Sequence, residues 1–442
     1  MIKNFIMIFC LTTGLFAQYN PELIDIGEGG VSGISKDGNF VCGSNWPNAP
    51  FIWSEATGRL SVGTVEGESY SVSNNGIVVG RYRDSSLTAG GDPVLRAGYY
   101  LNNQWYGFEG LPGVPPLDPQ SFTHAYGISS EGTKVVGMVW HANWRVEACY
   151  WSIPDTGIGL LGQAGGGNSR ANAISNDESI IAGWDGELGG PDRRAFYWDP
   201  LPHFMGGFDP TYLVGECRGM NSDGSVIVGG SVWPFIWTES SGMQHVLADS
   251  SVYWNGDAIG VSDNGIIVGF VDPGGFNYQG FIKMPGWSDI VYLKTFIEDT
   301  LGITTFPNWY YAFGQAISAD GNVIGITAYP PGQNAHAMVL TLDTVVPVED
   351  DNNQVSEYQL DQNYPNPFNP STRISFTIPK EGNVKLSVFN ILGEKLAELI
   401  NEFKVAGSYN IDWSNSELTS GIYLYRLETN DFVQTKKMTF IK

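Results

Sequence analysis

From residue 19 to residue 343, short apolar stretches alternate with polar, glycine-centred turns, and the alternation itself recurs. The pattern reads small–x–Gly/Ala–Ile–Ser/Asn–x–Asp/Asn–Gly–x–x–Val–Gly. Its copies run over 33–43, 71–80, 127–137, 173–183, 219–229, 260–269 and 316–325. The anchors are Ser35, Ser73, Ser129, Ser175, Asn221, Ser262 and Ser318. Each copy predicts a hairpin: the Ile enters one strand, the Gly supplies a positive φ in the turn, and the Val/Ile residues leave along the partner. A second motif follows each copy, as in Pro50-Phe51-Ile52-Trp53, Ala148-Cys149-Tyr150-Trp151 and Pro234-Phe235-Ile236-Trp237. Its aromatic end suits packing between neighbouring sheets. A third, weaker motif is a turn followed by apolar residues, as in Gly58-Arg59-Leu60-Ser61-Val62.

The anchors are spaced by about 47 residues on average, the length of a four-stranded propeller blade. The last copy ends near Leu342 without a third motif, whereas Leu23-Ile24-Asp25-Ile26-Gly27 is a third motif with nothing before it. Pairing the two predicts an all-β, seven-bladed β-propeller over 19–345, closed by a strand from the N-terminus. Closure protects sheet edges that an open array exposes. An open or eight-bladed array is the alternative.

The periodicity changes after Asp343. Residues 346–357 form an acidic, polar stretch that reads as a flexible linker. From Tyr358 strict alternation sets in, at Ile374-Phe376-Ile378, Val384-Leu386-Val388, Tyr409-Ile411-Trp413 and Tyr423-Tyr425-Leu427. About seven short strands in 358–442 predict a small Ig-like β-sandwich. At the other end, residues 1–17 have a basic Lys3, an apolar run and a small Ala17 before Gln18, the pattern of a cleaved signal peptide. No other stretch is long and apolar enough to span a membrane. Cleavage leaves Cys42, Cys149 and Cys217, an odd number in strand-like contexts, which reads as buried core thiols.

Composition refines this picture. With 56 glycines, 13% aromatic residues and only 16% charged residues, the chain favours short strands and turns over long helices. The formal charge of −23 argues against nucleic-acid partners, which need a basic face. That charge is uneven: residues 358–442 hold nine basic and nine acidic side chains, so the acidity belongs to the repeats and the linker.

Two resemblances follow from these motifs. The repeats resemble the extracellular HAF-type repeat family, through Arg194-Ala195-Phe196-Tyr197-Trp198 and His336-Ala337-Met338. That resemblance implies a secreted location and a fold more than an activity. The C-terminal unit resembles the type A sorting domain of the type IX secretion system of Bacteroidota. Its signature is Asn363, Tyr364, Pro365, Asn366, Pro367, Phe368, Asn369 and Pro370, then Val388 to Gly393. Ser420-Gly421-Ile422-Tyr423 and the terminal Lys436-Lys437 complete it. The resemblance implies handling by the secretion machinery, removal by a surface sortase, and release or attachment at the cell surface.

Residues with obvious chemistry are sparse. His124, His141, His203, His245 and His336 show no metal-ligand spacing, and no nucleophile elbow occurs. The Ser-x-Asp-Gly turns resemble sialidase Asp boxes, but Gly follows Asp directly, so turn geometry is their expected role. Catalytic and cofactor residues are therefore expected to be absent. Calcium is the one ion the acidic loops suggest, at Asp185, Glu187 and Asp192, without an EF-hand-like loop. Long insertions at 82–96, 108–124, 199–215 and 284–313, with Trp140, Trp144, Trp184, Asp185 and Trp233, suggest a ligand face for a glycan or protein. The expected function is a secreted or surface-displayed, non-catalytic binding or structural protein. The alternatives are a propeller enzyme acting on extracellular polysaccharide and a surface adhesin.

Overall fold

The computed structural model describes residues 21–45, 49–63, 66–120, 122–164, 166–187, 193–208, 215–230, 232–249, 255–342 and, with short breaks, 358–442. The expected signal peptide with Ala17 and Gln18, the linker 346–357, and Tyr364 and Pro365 lie outside the described residues. Two compact units result, Met1–Val346 and Pro347–Lys442. Among the described residues no helix is long and apolar enough to cross a membrane.

The first unit is built of four-stranded antiparallel sheets that follow one another along the chain, the blade arrangement of a β-propeller. The first strands of the successive repeats are Gly30–Ile34, Gly67–Val72, Thr123–Ile128, Gly166–Ile174, Glu216–Met220, Asn255–Val261 and Tyr310–Ile317. Each sits at the end of its four-strand order, with strands two, three and four stacked outward. Repeats 5 and 6 join into one eight-stranded sheet through the single pair Gly230–Asp257. In repeat 7 the fourth place is taken from the N-terminus: Glu22–Glu28 pairs antiparallel with His336–Thr341, Leu23 opposite Leu340 and Ile24 opposite Val339. Every first strand packs against the first strand of the next repeat, and Tyr310–Ile317 packs against Gly30–Ile34.

The repeated residues account for this regularity. The anchor hydroxyl of Ser35 donates to Asp37 Oδ1 at 2.6 Å and accepts the Phe40 amide at 2.9 Å, which ties the turn shut. Ser175 and Ser318 do the same with Asp177 and Asp320. The turns thus serve geometry, as expected of them. They also bond to one another. Asn74 N donates to Ser130 O, Asn176 N to Ser222 O, Asp263 N to Ala319 O, and Ala319 N to Lys36 O, at 2.7–2.9 Å. Side chains continue the series, with Asp37 N on Asn74 Oδ1 and Ser222 N on Asp263 Oδ1. Between repeats 3 and 4 the link is Glu178, which receives Thr133 and Lys134. The small residue before the Ile has a separate cause: a Cβ on Gly127 would stand 2.7 Å from the Asn172 carbonyl of the next repeat. The closing Gly faces its own sheet, since a Cβ on Gly183 would strike the Arg170 carbonyl.

Trp151, Trp198, Phe51, Phe235 and Phe281, all from second motifs, are fully buried. Cys42, Cys149 and Cys217 are buried and free, so none of them forms a disulfide. Two of the long insertions hold regular structure among their described residues. Residues 82–96 extend a hairpin, Val78–Ala89 with Asp92–Leu101, and 284–313 holds a short helical turn at Leu293–Thr300 that buries Leu293, Phe296 and Ile297.

The second unit stacks two sheets. One has the order Gln359–Leu360, Ser371–Ile378, Gly407–Ser414; the other runs Lys395–Lys404, Gly382–Phe389, Gly421–Glu428, Val433–Phe440. Alternate residues of both, including Ile374, Phe376, Val384, Leu386, Tyr425, Leu427 and Met438, form one core.

Candidate functional site

The first strands share a feature beyond the repeat pattern. In all seven the pairing with the second strand slips by one residue, three positions before the anchor. The extra residues are Ser32, Tyr70, Tyr126, Asn172, Arg218, Ile259 and Gln315, every one of them half-buried. A β-bulge re-aims its side chain and relieves it of cross-strand packing. Two positions earlier stand Gly30, Glu68, His124, Arg170, Glu216, Asp257 and Phe313. The scaffold positions of the repeat keep one chemistry, whereas these two positions range over charged, polar, aromatic and apolar residues from copy to copy.

These changing side chains meet. The Tyr70 and Tyr126 rings lie 5.2 Å apart, and the Arg170 guanidinium sits 4.6 Å over Tyr126. Glu216, only 3% exposed, is held by three arginines from three strands: Arg170, Arg193 at 2.8 Å and Arg218 at 2.9 Å. Asn172 adds a hydrogen bond to it at 3.0 Å, and Arg218 extends the network to Asp257 at 2.8 Å. On the other side Arg81 pairs with Glu68 at 2.8 Å, and the Tyr70 hydroxyl donates to the same carboxylate. A buried charge is tolerated only when paired this closely.

Electrostatics follow from that packing. Burial pushes the Glu68 carboxyl up, but hydrogen bonds from Arg81 and Tyr70 outweigh it and hold the group below the usual range. Burial and the Glu68 charge push the Tyr70 phenol far up, so it stays protonated. His124 is lowered to about 4, chiefly by burial and then by Arg81, with Arg170 adding to the effect. Its hydrogen bonds fit a neutral ring: Nε2–H donates to the Gln120 carbonyl at 3.2 Å, and Nδ1 accepts the Tyr126 hydroxyl at 3.3 Å. At the turn end of the same strands, Lys36 of repeat 1 reaches Met220 O of repeat 5 at 2.8 Å. Burial lowers the Lys36 pKa there, with Asp263 acting against it.

The residues expected to form a ligand face are partly united. Trp140 and Trp184 pack with Met138, Val146 and Tyr126, and Trp140 meets Trp144 edge-on at 6.1 Å. Trp144 caps the hairpin between Lys134–Trp140 and Val146–Ser152, at φ 64° and 56% exposed. Trp184 and Asp185 are buried, and Asp185 accepts the Ala164 amide at 2.6 Å, so both belong to the interior. They are therefore not surface contacts: Trp184 is covered by Arg170 and Arg193, and Asp185 is committed to a loop. Trp233 stands apart, against Phe208 and His245. Among the described residues no group of three or more His, Cys, Asp or Glu has metal-holding geometry. Asp192 and the Glu187 side chain lie outside the described residues. The histidines are dispersed, with His141 on Glu147, His336 on Asp25, and His203 and His245 stacked on Tyr197 and Phe208.

The bulge cluster carries no motif of its own. Its signal in the sequence is the wildcard before the small residue, where Tyr, Asn, Arg and Gln stand.

In the second unit, the two ends of the sorting signature come together. Phe368 is buried against Trp413 and Phe440, at 5.8 and 5.1 Å between centroids. Phe368 N donates to Thr439 O at 3.0 Å, Ile441 N to Phe368 O at 3.1 Å, and Thr439 N to Asn366 Oδ1 at 2.8 Å. Thus the Asn366, Pro367, Phe368, Asn369, Pro370 loop is sewn to the final strand, which carries Lys436 and Lys437. Gly393 turns at φ 83°, Gly421 opens a strand beside an exposed Ile422, and the Tyr423 hydroxyl donates to Thr419 O at 2.8 Å.

Residues 362–442 match the family described as the secretion system C-terminal sorting domain, which implies export to the cell surface or beyond. Among curated proteins, nothing matches the chain. Solved structures resemble it more loosely. The putative TolB from Agrobacterium tumefaciens is 11% identical, covers 67% of this chain and 91% of its own, and gives a TM-score of 0.35. The β-propeller domain of the Trilobed protease from Pyrococcus furiosus is 9% identical, over 79% and 89%, with a TM-score of 0.37. PorZ, a surface component of the type-IX secretion system of Porphyromonas gingivalis, is 8% identical, over 93% and 75%, at 0.23. At these scores the likenesses carry no argument about activity.

Proposed function

We propose that the chain is an exported seven-bladed β-propeller that binds rather than catalyses, delivered by its C-terminal domain through the type IX secretion machinery. The observation that carries the export half is the sorting-domain match over 362–442. An N-terminal signal peptide would bring the chain to the periplasm, and a surface sortase would cut within 346–357, leaving the Ig-like sandwich behind. Closure of the propeller is supported by the Glu22–Glu28 pairing with the last repeat and by the turn-to-turn hydrogen bonds that return from Ala319 to Lys36.

The binding half rests on the state of the carboxylates where the first strands meet. A glycoside hydrolase of the two-carboxylate kind needs a carboxyl whose pKa is raised to act as an acid. Here Glu68 is held low by Arg81 and Tyr70, and Glu216 and Asp257 are clamped by arginines. Such groups position a ligand and do not trade protons with it. Deleting 358–442 tests the export claim: the protein should accumulate in the periplasm, and undiminished appearance outside the cell would refute it.

A further inference from the structure

The bulge cluster has more cationic than anionic side chains, in a unit that is otherwise acidic. Arg81, Arg170, Arg193 and Arg218 face Glu68, Glu216 and Asp257, while His124 is neutral. One positive charge is left over. The unspent donors are specific. Arg81 uses only Nε, on Glu68, so both of its terminal nitrogens are uncommitted among the described residues. Arg170 uses Nη2 on Glu216, and its buried Nε has no partner. Arg81 shares Glu68 with the Tyr70 hydroxyl, and Arg170 lies over Tyr126, whose ring is 5.2 Å from that of Tyr70, so the two guanidiniums flank one pair of rings.

Neutral groups at the bulge positions of the first strands are also unspent. Ser32 and Gln315, the bulge residues of repeats 1 and 7, are half-buried and make no side-chain hydrogen bond among the described residues. Asn172 commits its amide nitrogen to Glu216 and Cys217 O, which leaves its oxygen over. Lys36 crosses from repeat 1 to repeat 5 at the turn end and gives the cluster a floor there.

From this set we infer that the cluster receives a ligand with one carboxylate and several hydroxyls, a hexuronate-type acidic sugar. The inference rests on the binding reading above and names its ligand class. Guanidinium forks match the planar carboxylate better than a point charge does. A monoanion neutralises the surplus of one, whereas a dianion such as phosphate overshoots it. Ser32, Gln315 and the Asn172 oxygen supply neutral donors and acceptors of the kind sugar hydroxyls use. The exposed Trp144 lies on the hairpin that continues from Met138, the residue paired with His124, where a longer glycan would continue.

The test is calorimetric titration of the full mature chain with sodium glucuronate, with glucose and inorganic phosphate as comparison probes, repeated on Arg81→Gln and Arg81→Lys. Glucuronate should bind, glucose and phosphate should bind more weakly, and Arg81→Gln should weaken glucuronate by about tenfold or more. Arg81→Lys keeps the charge without the fork and should fall between. If Arg81→Gln unfolds, Arg81→Lys alone decides. Glucose binding as tightly as glucuronate, with no dependence on Arg81, would overturn the acidic-sugar inference and leave the binding reading standing. Heat from none of the probes, together with silence on a broad glycan panel, would overturn both.

Discussion

The two ends of the seven first strands obey different rules. At the turn end, Ser35, Ser73, Ser129, Ser175, Asn221, Ser262 and Ser318 repeat one hydrogen-bonding device, and neighbouring turns clasp each other. At the bulge end no one chemistry is kept: Tyr70 and Tyr126 stand where other copies have Arg218 or Ile259. The difference separates stability from chemistry. A position that recurs in every blade is fixed by packing, whereas a bulged position can vary because no cross-strand partner constrains it. A repeat scaffold thus marks its candidate site by where it stops repeating.

Several substitutions would break or sharpen that contrast. The largest effect is expected at Arg170, the variable residue most deeply committed to a buried charge. Arg170→Met leaves Glu216 short of one partner, and loss of a buried ion-pair member costs about 3 kcal/mol or more. Chemical denaturation should register this as a lower midpoint with an unchanged slope. An unaltered midpoint would mean that Arg193 and Arg218 suffice.

Next in size is a pH effect. His124 titrates near 4 when folded, below its unfolded value, so between pH 6.5 and 4 the unfolded chain binds more protons. Stability therefore rises with pH across that window and is lost on acidification, by about 3 kcal/mol at the acid limit. The depressed Glu68 carboxyl acts in the same direction at the lower edge. His124→Gln, which keeps a donor for the Gln120 carbonyl, should flatten the dependence above pH 5. A variant whose midpoint follows the wild-type curve would place the sensitivity elsewhere.

A smaller loss belongs to the turn end. Ser318→Ala removes the acceptor of the Val323 amide and the donor to Asp320, for about 1–2 kcal/mol. The smallest change is expected at the bulge itself: Gln315→Ala, which breaks no hydrogen bond among the described residues, should alter stability by less than about 0.5 kcal/mol. Thermal unfolding of the two variants side by side measures both.

Much of this architecture was legible in the sequence. The anchors give the number and phase of the hairpins, and the unmatched third motif at Leu23–Gly27 locates the strand that pairs with the last repeat. The alternation from Tyr358 onward foretells two sheets around one core. The site was harder to read. Alternation counting assumes an uninterrupted pleat and does not announce the bulge at Tyr126, where the pairing shifts between Ala125 and Gly127. Arg81 and Arg193 come from second and third strands, so no linear spacing joins them to Glu68 or Glu216. Trp184 looked like surface because aromatic rings suit both ligand stacking and interior packing, and only neighbours such as Arg170 and Met138 decide between them.

The contrast between the two ends is tested most directly by comparing the thermal midpoints of two double variants, Ser35→Ala/Ser318→Ala and Ser32→Ala/Gln315→Ala. The second pair lies on Gly30–Ile34 and Tyr310–Ile317, the first pair immediately follows those same strands, and both remove similar numbers of polar atoms. The first pair should lower the midpoint by several degrees, about 4–8 °C at most for a loss of this order. The second should leave it unchanged. Equal destabilisation by the two pairs would contradict the account, because the bulged positions would then be holding the scaffold together like the anchors.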